Sequence, residues 1–367
     1  MLFFALYAIL IFLLLMVAND HRKVTWLVLL SIIVYWGFSL VDAVDIPGYM
    51  FAFDCMNTHG DPRESYYGVF EGSYGGFEYG FLLAMQFSKR IIPYFEFFQL
   101  FLFAIEVLLV YLGVKRLDRE DKSFATIMMC MMAFSLSFSL LGAMRQGVAI
   151  ALFINSLPFF IEKRYIKCVG CIVFGSFFHI SSILLLAVLV LCWLFVKYRD
   201  FFFSRAFLWS LFILCNVLYV FHFSVGGFFG EILSFFSSSY SSYYDSFSNA
   251  SNYGYLKLLE MDGCFVIAFF TSYMKRSSKY YLLASVFLCY FIINTISGGM
   301  AVHRISYYLA IPYAIFLVES LLSLLRNIGI KSGVSLTIVF VYLFFTFAYQ
   351  NSMFGNYPYD YYIGHFM

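Results

Sequence analysis

Charge is what this chain has least of. Asp, Glu, Lys and Arg together make up 12% of its 367 residues, while 63% are hydrophobic and the mean hydropathy is +0.85. A soluble domain carries roughly 25% charged residues, so this chain cannot cover a water-facing surface and belongs in a bilayer. Period-two alternation is missing too. The apolar runs are continuous, which excludes a membrane β-barrel and leaves helices, because backbone in lipid must satisfy its own hydrogen bonds. No Walker loop, G-x-G-x-x-G, H-E-x-x-H or G-x-S-x-G occurs, which sets aside ATP-driven transport and soluble-type hydrolysis. Basic residues come only in short loop clusters, so no nucleic-acid partner is expected. Apart from Cys55, the eight cysteines lie inside apolar runs and read as small hydrophobes. Cys168 and Cys171 have no second pair of soft ligands nearby, so neither a metal nor a cofactor is expected. The N-terminus has no basic n-region and no small-residue cleavage site, and reads as a retained helix.

What is there is a series of apolar runs near the ~20 residues that span hydrocarbon as a helix. They read as spans at Leu2 to Ala18, Val24 to about Val44, Tyr94 to Val114, Ser123 to Gly142, the run after Arg145 to Phe160, Ala206 to Phe223, Leu258 to Met274, Tyr280 to Ile296, Arg304 to Leu325 and Gly333 to Tyr349. The run Cys168 to Val196 is too long for one span and is interrupted at Gly175-Ser176 and His179 to Ser182. Both its flanks are basic, so it reads as two short helices folded near His179. The expected fold is all-α and polytopic, about ten spanning helices plus a cytoplasmic-side helical hairpin, in a single membrane domain over 1–367. Two long polar loops interrupt it, at 45–93 and 224–257. Within the first, Phe77 to Ile92 is apolar but short, and suits an amphipathic interfacial or re-entrant helix.

Of the 23 Lys and Arg, this topology leaves only Arg63, Lys89, Arg90, Arg145, Lys257 and Arg304 on one face. The positive-inside rule puts the other, more basic face in the cytoplasm. Both long loops and the C-terminal tail are then extracytoplasmic. Lys89-Arg90 is the weak point, since a true span beside it would put those two charges inside.

On the outer face, charges from four places in the sequence converge near membrane depth: Asp45, Glu78, Arg145-Gln146 and His303-Arg304. An arginine there must snorkel, pair or hold an anion. Arg145 and Arg304 open apolar runs, so each is expected at a helix start whose amides carry partial positive charge. Two such seats suit a diphosphate, and Asp45 or Glu78 suits a base for a hydroxyl nucleophile. Each has a plainer reading: Asp45 as an N-cap, Glu78 paired with Lys89, Arg90 or an outer arginine, His303-Arg304 as a headgroup anchor, and His179 as a neutral core histidine.

In order along the chain stand Asp45-Ile46-Pro47-Gly48-Tyr49, Glu78-Tyr79-Gly80-Phe81, Met144-Arg145-Gln146-Gly147-Val148-Ala149, Phe177-Phe178-His179-Ile180-Ser181-Ser182 and Arg304-Ile305-Ser306-Tyr307-Tyr308. This series resembles the EpsG family of bacterial polysaccharide polymerases, relatives of the Wzy O-antigen and capsule polymerases. The resemblance implies a GT-C-like glycosyltransferase of the bacterial inner membrane, working at its periplasmic or exterior face. Such an enzyme joins oligosaccharide repeat units carried on undecaprenyl diphosphate into O-antigen (lipopolysaccharide), capsule or exopolysaccharide, sometimes beside a chain-length regulator. It further implies Asp45 as the base, Glu78 as the second candidate and His179 as a buttress. Arg145, Gln146, His303, Arg304, Tyr49 and Tyr307 are then expected to bind substrate. The competing readings are a lipid-linked sugar flippase or transporter, which calls for charges along a central path and an internal repeat, and an enzyme adding one sugar from a polyprenyl phosphate.

Overall fold

The computed structural model describes residues 9–14, 21–40, 46–67, 77–117, 143–221, 255–271, 277–296, 300–353 and 360–361. The span read at Ser123 to Gly142 and nearly all of the second outer loop lie outside these residues. The described chain is helical apart from a two-residue antiparallel pairing of Ser39–Leu40 with Asp360–Tyr361. In chain order the helices are α1 (His21–Gly37), α2 (Ile46–Cys55), α3 (Pro62–Tyr67), α4 (Tyr79–Ile91), α5 (Phe95–Leu117), α6 (Met144–Ile161) and α7 (Tyr165–Ser176). A 3-10 turn at Ile180–Leu184 leads into α8 (Leu185–Lys197), α9 (Arg199–Phe202), α10 (Arg205–Val220) and α11 (Tyr255–Val266). The last are α12 (Ser278–Ile296), α13 (Met300–Asn327) and α14 (Ser332–Met353).

Among the described residues four helical runs are long and apolar enough to cross a membrane: Phe95–Leu117, Met144–Ile161, Ile180–Lys197 and Ile305–Asn327. Shorter apolar helices stand beside them at Val24–Gly37, Tyr165–Ser176, Arg205–Val220 and Ser332–Leu343. The chain is therefore an integral membrane protein of packed helices.

The order of contacts gives each helix its direction. Gly147 meets Glu106, Gly113 meets Ile154 and Asn155, and Arg116 stacks 4.8 Å over Phe159, so α5 and α6 run parallel. Asn155 Nδ2 donates to the Leu109 carbonyl at 2.6 Å and ties the pair midway. Parallel neighbours need a return crossing between them. α7 runs back along α6, with Tyr165 against Phe160 at 5.7 Å and Gly175 against Ala149 at 3.5 Å. α12 and α13 are antiparallel, pinned by Lys279 Nζ to Glu319 Oε1 at 2.6 Å and by the Phe287–Tyr313 stack at 4.7 Å.

The basic side chains gather at one end of this bundle. Arg116 and Lys167 share the Phe159 ring, Lys197 lies over Trp193 and Arg199 over Tyr281. At the opposite end α2 and α4 pack across α5 and the start of α6, burying Tyr49, Phe53, Phe81, Met85, Phe98 and Met144 in a second, smaller core. α4 turns Leu83, Phe87 and Ile91 outward, a stripe at i, i+4, i+8 that suits a helix lying in the interface. Its basic end does not lead to the other face. Lys89 Nζ donates to the carbonyls of Phe53 (2.8 Å) and Asp54 (2.7 Å), and Arg90 to that of Thr58. Lys89 thus caps the negative end of α2, and Arg90 holds the segment that follows it.

Two boundaries differ from the sequence reading. The second helix, expected to reach about Val44, ends at Gly37, where a Cβ would sit 2.5 Å from the Leu100 side chain. Gln99 Nε2 donates to the Gly37 carbonyl at 3.1 Å and so takes over one of the end groups a helix leaves unsatisfied. The helix expected to begin at Arg304 begins at Met300, which places Arg304 in its second turn.

Candidate functional site

Three segments far apart in sequence meet at the start of α6. Glu78 stands at the N-cap of α4 with extended backbone, and its side chain makes no capping bond. The Gly80 amide that a cap would satisfy donates instead to the Phe177 carbonyl, at 2.9 Å. Gly80 is needed for that approach, because a Cβ there would lie 2.7 Å from the same oxygen. With its capping duty taken over, the Glu78 carboxylate turns inward.

There it accepts three hydrogen bonds: from Arg145 Nη1 to Oε2 at 2.8 Å, and from His179 Nδ1 and the Ile180 amide to Oε1, both at 3.0 Å. An ionised carboxylate only accepts, so His179 carries its proton on Nδ1. The side chains of Glu78, Arg145 and His179 are 12%, 16% and 4% exposed, so the cluster is shielded from bulk water and its charges are weakly screened. Burial pushes the Glu78 carboxyl up, but the Arg145 guanidinium, the His179 ring and the Ile180 amide outweigh it and hold its pKa at about 2. Glu78 is therefore a fixed anion and a poor proton acceptor.

Arg145 is boxed by aromatics. Its guanidinium lies 4.7 Å from the Phe77 ring centre and 5.7 Å from that of Tyr49, and its Nε points at the Tyr49 hydroxyl at 3.4 Å. Tyr49 comes from the first turn of α2, which begins at Ile46. The α6 helix starts at Met144, so the guanidinium stands beside the positive end of a helix dipole. The parallel register of α5 and α6 sets this cluster roughly 13 Å in from the Phe95 end of α5.

The α7–α8 hairpin supplies the third segment, and each residue of its tip has a partner. Phe177 takes the Gly80 amide and His179 and Ile180 hold Glu78. Ser181 Oγ pairs with the Tyr308 hydroxyl at 3.0 Å, and Ser182 Oγ donates to the Ile172 carbonyl at 3.2 Å. The hairpin read as entering from the cytoplasmic side thus reaches the Arg145 end of the bundle.

The sequence-derived candidates sort as follows. Glu78, Arg145, His179 and Tyr49 come together. Gln146 is buried beside Arg145 in α6. Asp45 lies outside the described residues, directly ahead of the helix that carries Tyr49. His303 and Arg304 lie on the helical backbone of α13, and their side chains are outside the described set. Arg304 precedes Tyr308 by one turn, about 6 Å of rise, so its backbone stands at the Ser181–Tyr308 contact and thus at the same end of the bundle as Arg145. Its expected place at a helix start is corrected: in the second turn its amide bonds within the helix, so any hold on an anion falls to the side chain. Tyr307 is half-buried against the main core.

One residue escaped the sequence reading. Glu106, midway along α5, is 1% exposed, and its Oε1 has no hydrogen-bond partner among the described residues. A Cβ on Gly147 would lie 2.6 Å from its Oε2, so the glycine two residues after Arg145 is what admits this carboxyl to the seam. A lone acid inside an otherwise apolar run was the signal available.

The sequence model of the EpsG family matches residues 46–361, which takes in Tyr49, Glu78, Arg145, His179 and Tyr308. No curated protein and no solved structure matches the chain.

Proposed function

The chain belongs to the EpsG family, a family of polysaccharide polymerases, and from that premise we propose that it joins oligosaccharide repeat units carried on undecaprenyl diphosphate. The reaction takes place at the extracytoplasmic face of the inner membrane, in the manner of a Wzy-type glycosyltransferase. The product is an O-antigen, capsule or exopolysaccharide chain. A hydroxyl at the non-reducing end of one unit attacks the anomeric carbon of the growing chain. The glycosidic C–O bond to the diphosphate breaks, and undecaprenyl diphosphate leaves with the bonding pair.

The observation that carries this reading is the buried Glu78–Arg145–His179 cluster, built from residues within the family match. A guanidinium has five N–H donors in a planar fork, so one edge can stay on Glu78 while another takes phosphate oxygens. Held rigidly beside a helix N-terminus, Arg145 would stabilise the charge that develops on the leaving diphosphate. Glu78, already an anion with three donors, fixes Arg145 and the His179 ring in place. Asp45, which precedes in sequence the helix carrying the Tyr49 that touches Arg145, is the better base for the acceptor hydroxyl. Arg304, His303, Tyr307, Gln146 and Tyr49 complete the substrate-binding set in this reading. The basic end of the bundle faces the cytoplasm under the positive-inside rule, which turns Arg145 outward. The Glu78–Arg145–His179 cluster lies at one end of the bundle and the sequence has no evident internal repeat, which favours this reading over a flippase.

The test is complementation of a strain that lacks its own polymerase. Wild-type protein restores long chains, whereas Arg145→Ala at normal protein level leaves the acceptor capped by a single repeat unit. Long chains from the Arg145→Ala strain would overturn the diphosphate role.

A further inference from the structure

The two arms of the α7–α8 hairpin meet at the tip but do not close on each other along their length. Between them lies a cavity of about 380 Å³, floored by Phe160 and walled by Cys168 and Val169 from α7 and by Leu186, Val190 and Trp193 from α8. Its walls carry almost no polar atoms. Val169, Val190 and Trp193 are 42%, 58% and 40% exposed, so the groove opens on the outer surface of the bundle, where lipid lies.

Its length and its ends are not symmetric. From Leu186 to Trp193 the groove runs about 11 Å along α8, which fits within one leaflet, half of the ~30 Å hydrocarbon core. The far end, at Leu186, lies toward the His179 tip. The near end is basic: Lys197 lies 4.7 Å over the Trp193 ring that lines the groove, and Arg164 directly precedes the lining Tyr165. Against these stand Glu162, already bound to Arg164 at 3.2 Å, and Asp200, fully exposed beyond Arg199. An apolar slot one leaflet deep with an uncompensated basic mouth matches an acyl chain that bears an anionic headgroup.

We propose that the groove between α7 and α8 seats an anionic glycerophospholipid of the cytoplasmic leaflet, its acyl chain between Val169 and Val190 and its phosphate against Lys197. The same hairpin holds Glu78 through His179 and Ile180 at its tip, so the lipid wedges apart the two arms that position the buried cluster. The seat stands at the opposite end of the hairpin from Arg145 and does not depend on the reaction assigned there.

The experiment is native mass spectrometry of the full chain released from bilayers of equal phosphatidylglycerol and phosphatidylcholine. Wild-type protein is expected to retain phosphatidylglycerol in excess. Lys197→Ala should lower that retention about fivefold, whereas Lys167→Ala, which removes the ammonium over Phe159, leaves it unchanged. Val190→Trp, which fills the slot, should abolish it, while Leu191→Trp, exposed but outside the groove, leaves it unchanged. Equal retention of the two lipids, or full retention by Val190→Trp, would overturn the proposal. Because retention is read without any polymerisation, failure of the polymerase reading would leave this result intact.

Discussion

Replacing Glu78 with glutamine removes one charge and almost no volume from the centre of the site. The native carboxylate accepts from Arg145, His179 and the Ile180 amide. In the Glu78→Gln variant the new side-chain oxygen can keep the His179 and Ile180 bonds, but its NH2 must then face the Arg145 guanidinium, donor against donor. A pKa held at about 2 against an ordinary value of 4.5 corresponds to about 3 kcal/mol of stabilisation at neutral pH. Breaking a buried ion pair by removing one partner costs about 3–5 kcal/mol, so the two routes agree. The sign follows from the depressed pKa: the stabilisation is whole above about pH 4.5 and is lost as pH falls toward 2. Thermal unfolding of detergent-solubilised protein, followed by tryptophan fluorescence from about pH 7 to about pH 3, reads both effects. Glu78→Gln is expected to unfold well below wild type at neutral pH, and the gap is expected to narrow as the pH drops below 4.5. A variant with the wild-type midpoint at neutral pH, or with a gap that stays constant into acid, would refute the reasoning.

Other contacts make equally definite expectations. Gly80→Ala places a methyl 2.7 Å from the Phe177 carbonyl, an overpacking that should destabilise by about 1–3 kcal/mol and raise protease sensitivity at the hairpin tip. Gly147→Ala collides with Glu106, so Glu106→Ala in the same chain should recover stability by about 1 kcal/mol or more; additive losses in unfolding midpoints would contradict the packing. Ser181→Ala and Tyr308→Phe remove opposite halves of one 3.0 Å bond, so the double variant should cost no more than the costlier single, about 1 kcal/mol, in a double-mutant cycle.

Much of this site was legible before any coordinates, and for a physical reason. Charge at membrane depth is costly, so Glu78, Arg145 and His179 stood out against apolar surroundings, and the arithmetic of basic loops put the first two on one face. Hydrophobic runs located three of the four described helical runs long enough to cross a membrane for the same reason, while Ile180–Lys197 was read as one arm of a hairpin. What the residues did not disclose depends on partners rather than on pattern. That Glu78 is held as an anion follows from the Arg145 guanidinium together with the His179 ring and the Ile180 amide, which a hairpin tip brings from about a hundred residues away. That Gly80 matters follows from one backbone oxygen of Phe177. Helix ends were the weakest part. Gln99, distant in sequence, terminates α1 at Gly37 from another helix, and α13 starts a turn before Arg304. Glu106 was visible but lay in an apolar run with no companion to mark it.

The decisive measurement is in vitro extension of a purified undecaprenyl-diphosphate-linked repeat unit by the reconstituted protein, comparing wild type with Arg145→Lys. A lysine keeps the positive charge but loses the planar fork that the proposed mechanism needs to hold Glu78 and phosphate together. Long products from wild type, with the lysine variant reduced at least about a hundredfold in rate, are the expected result. Wild-type chain lengths and rates from Arg145→Lys would show that the guanidinium does not grip the diphosphate.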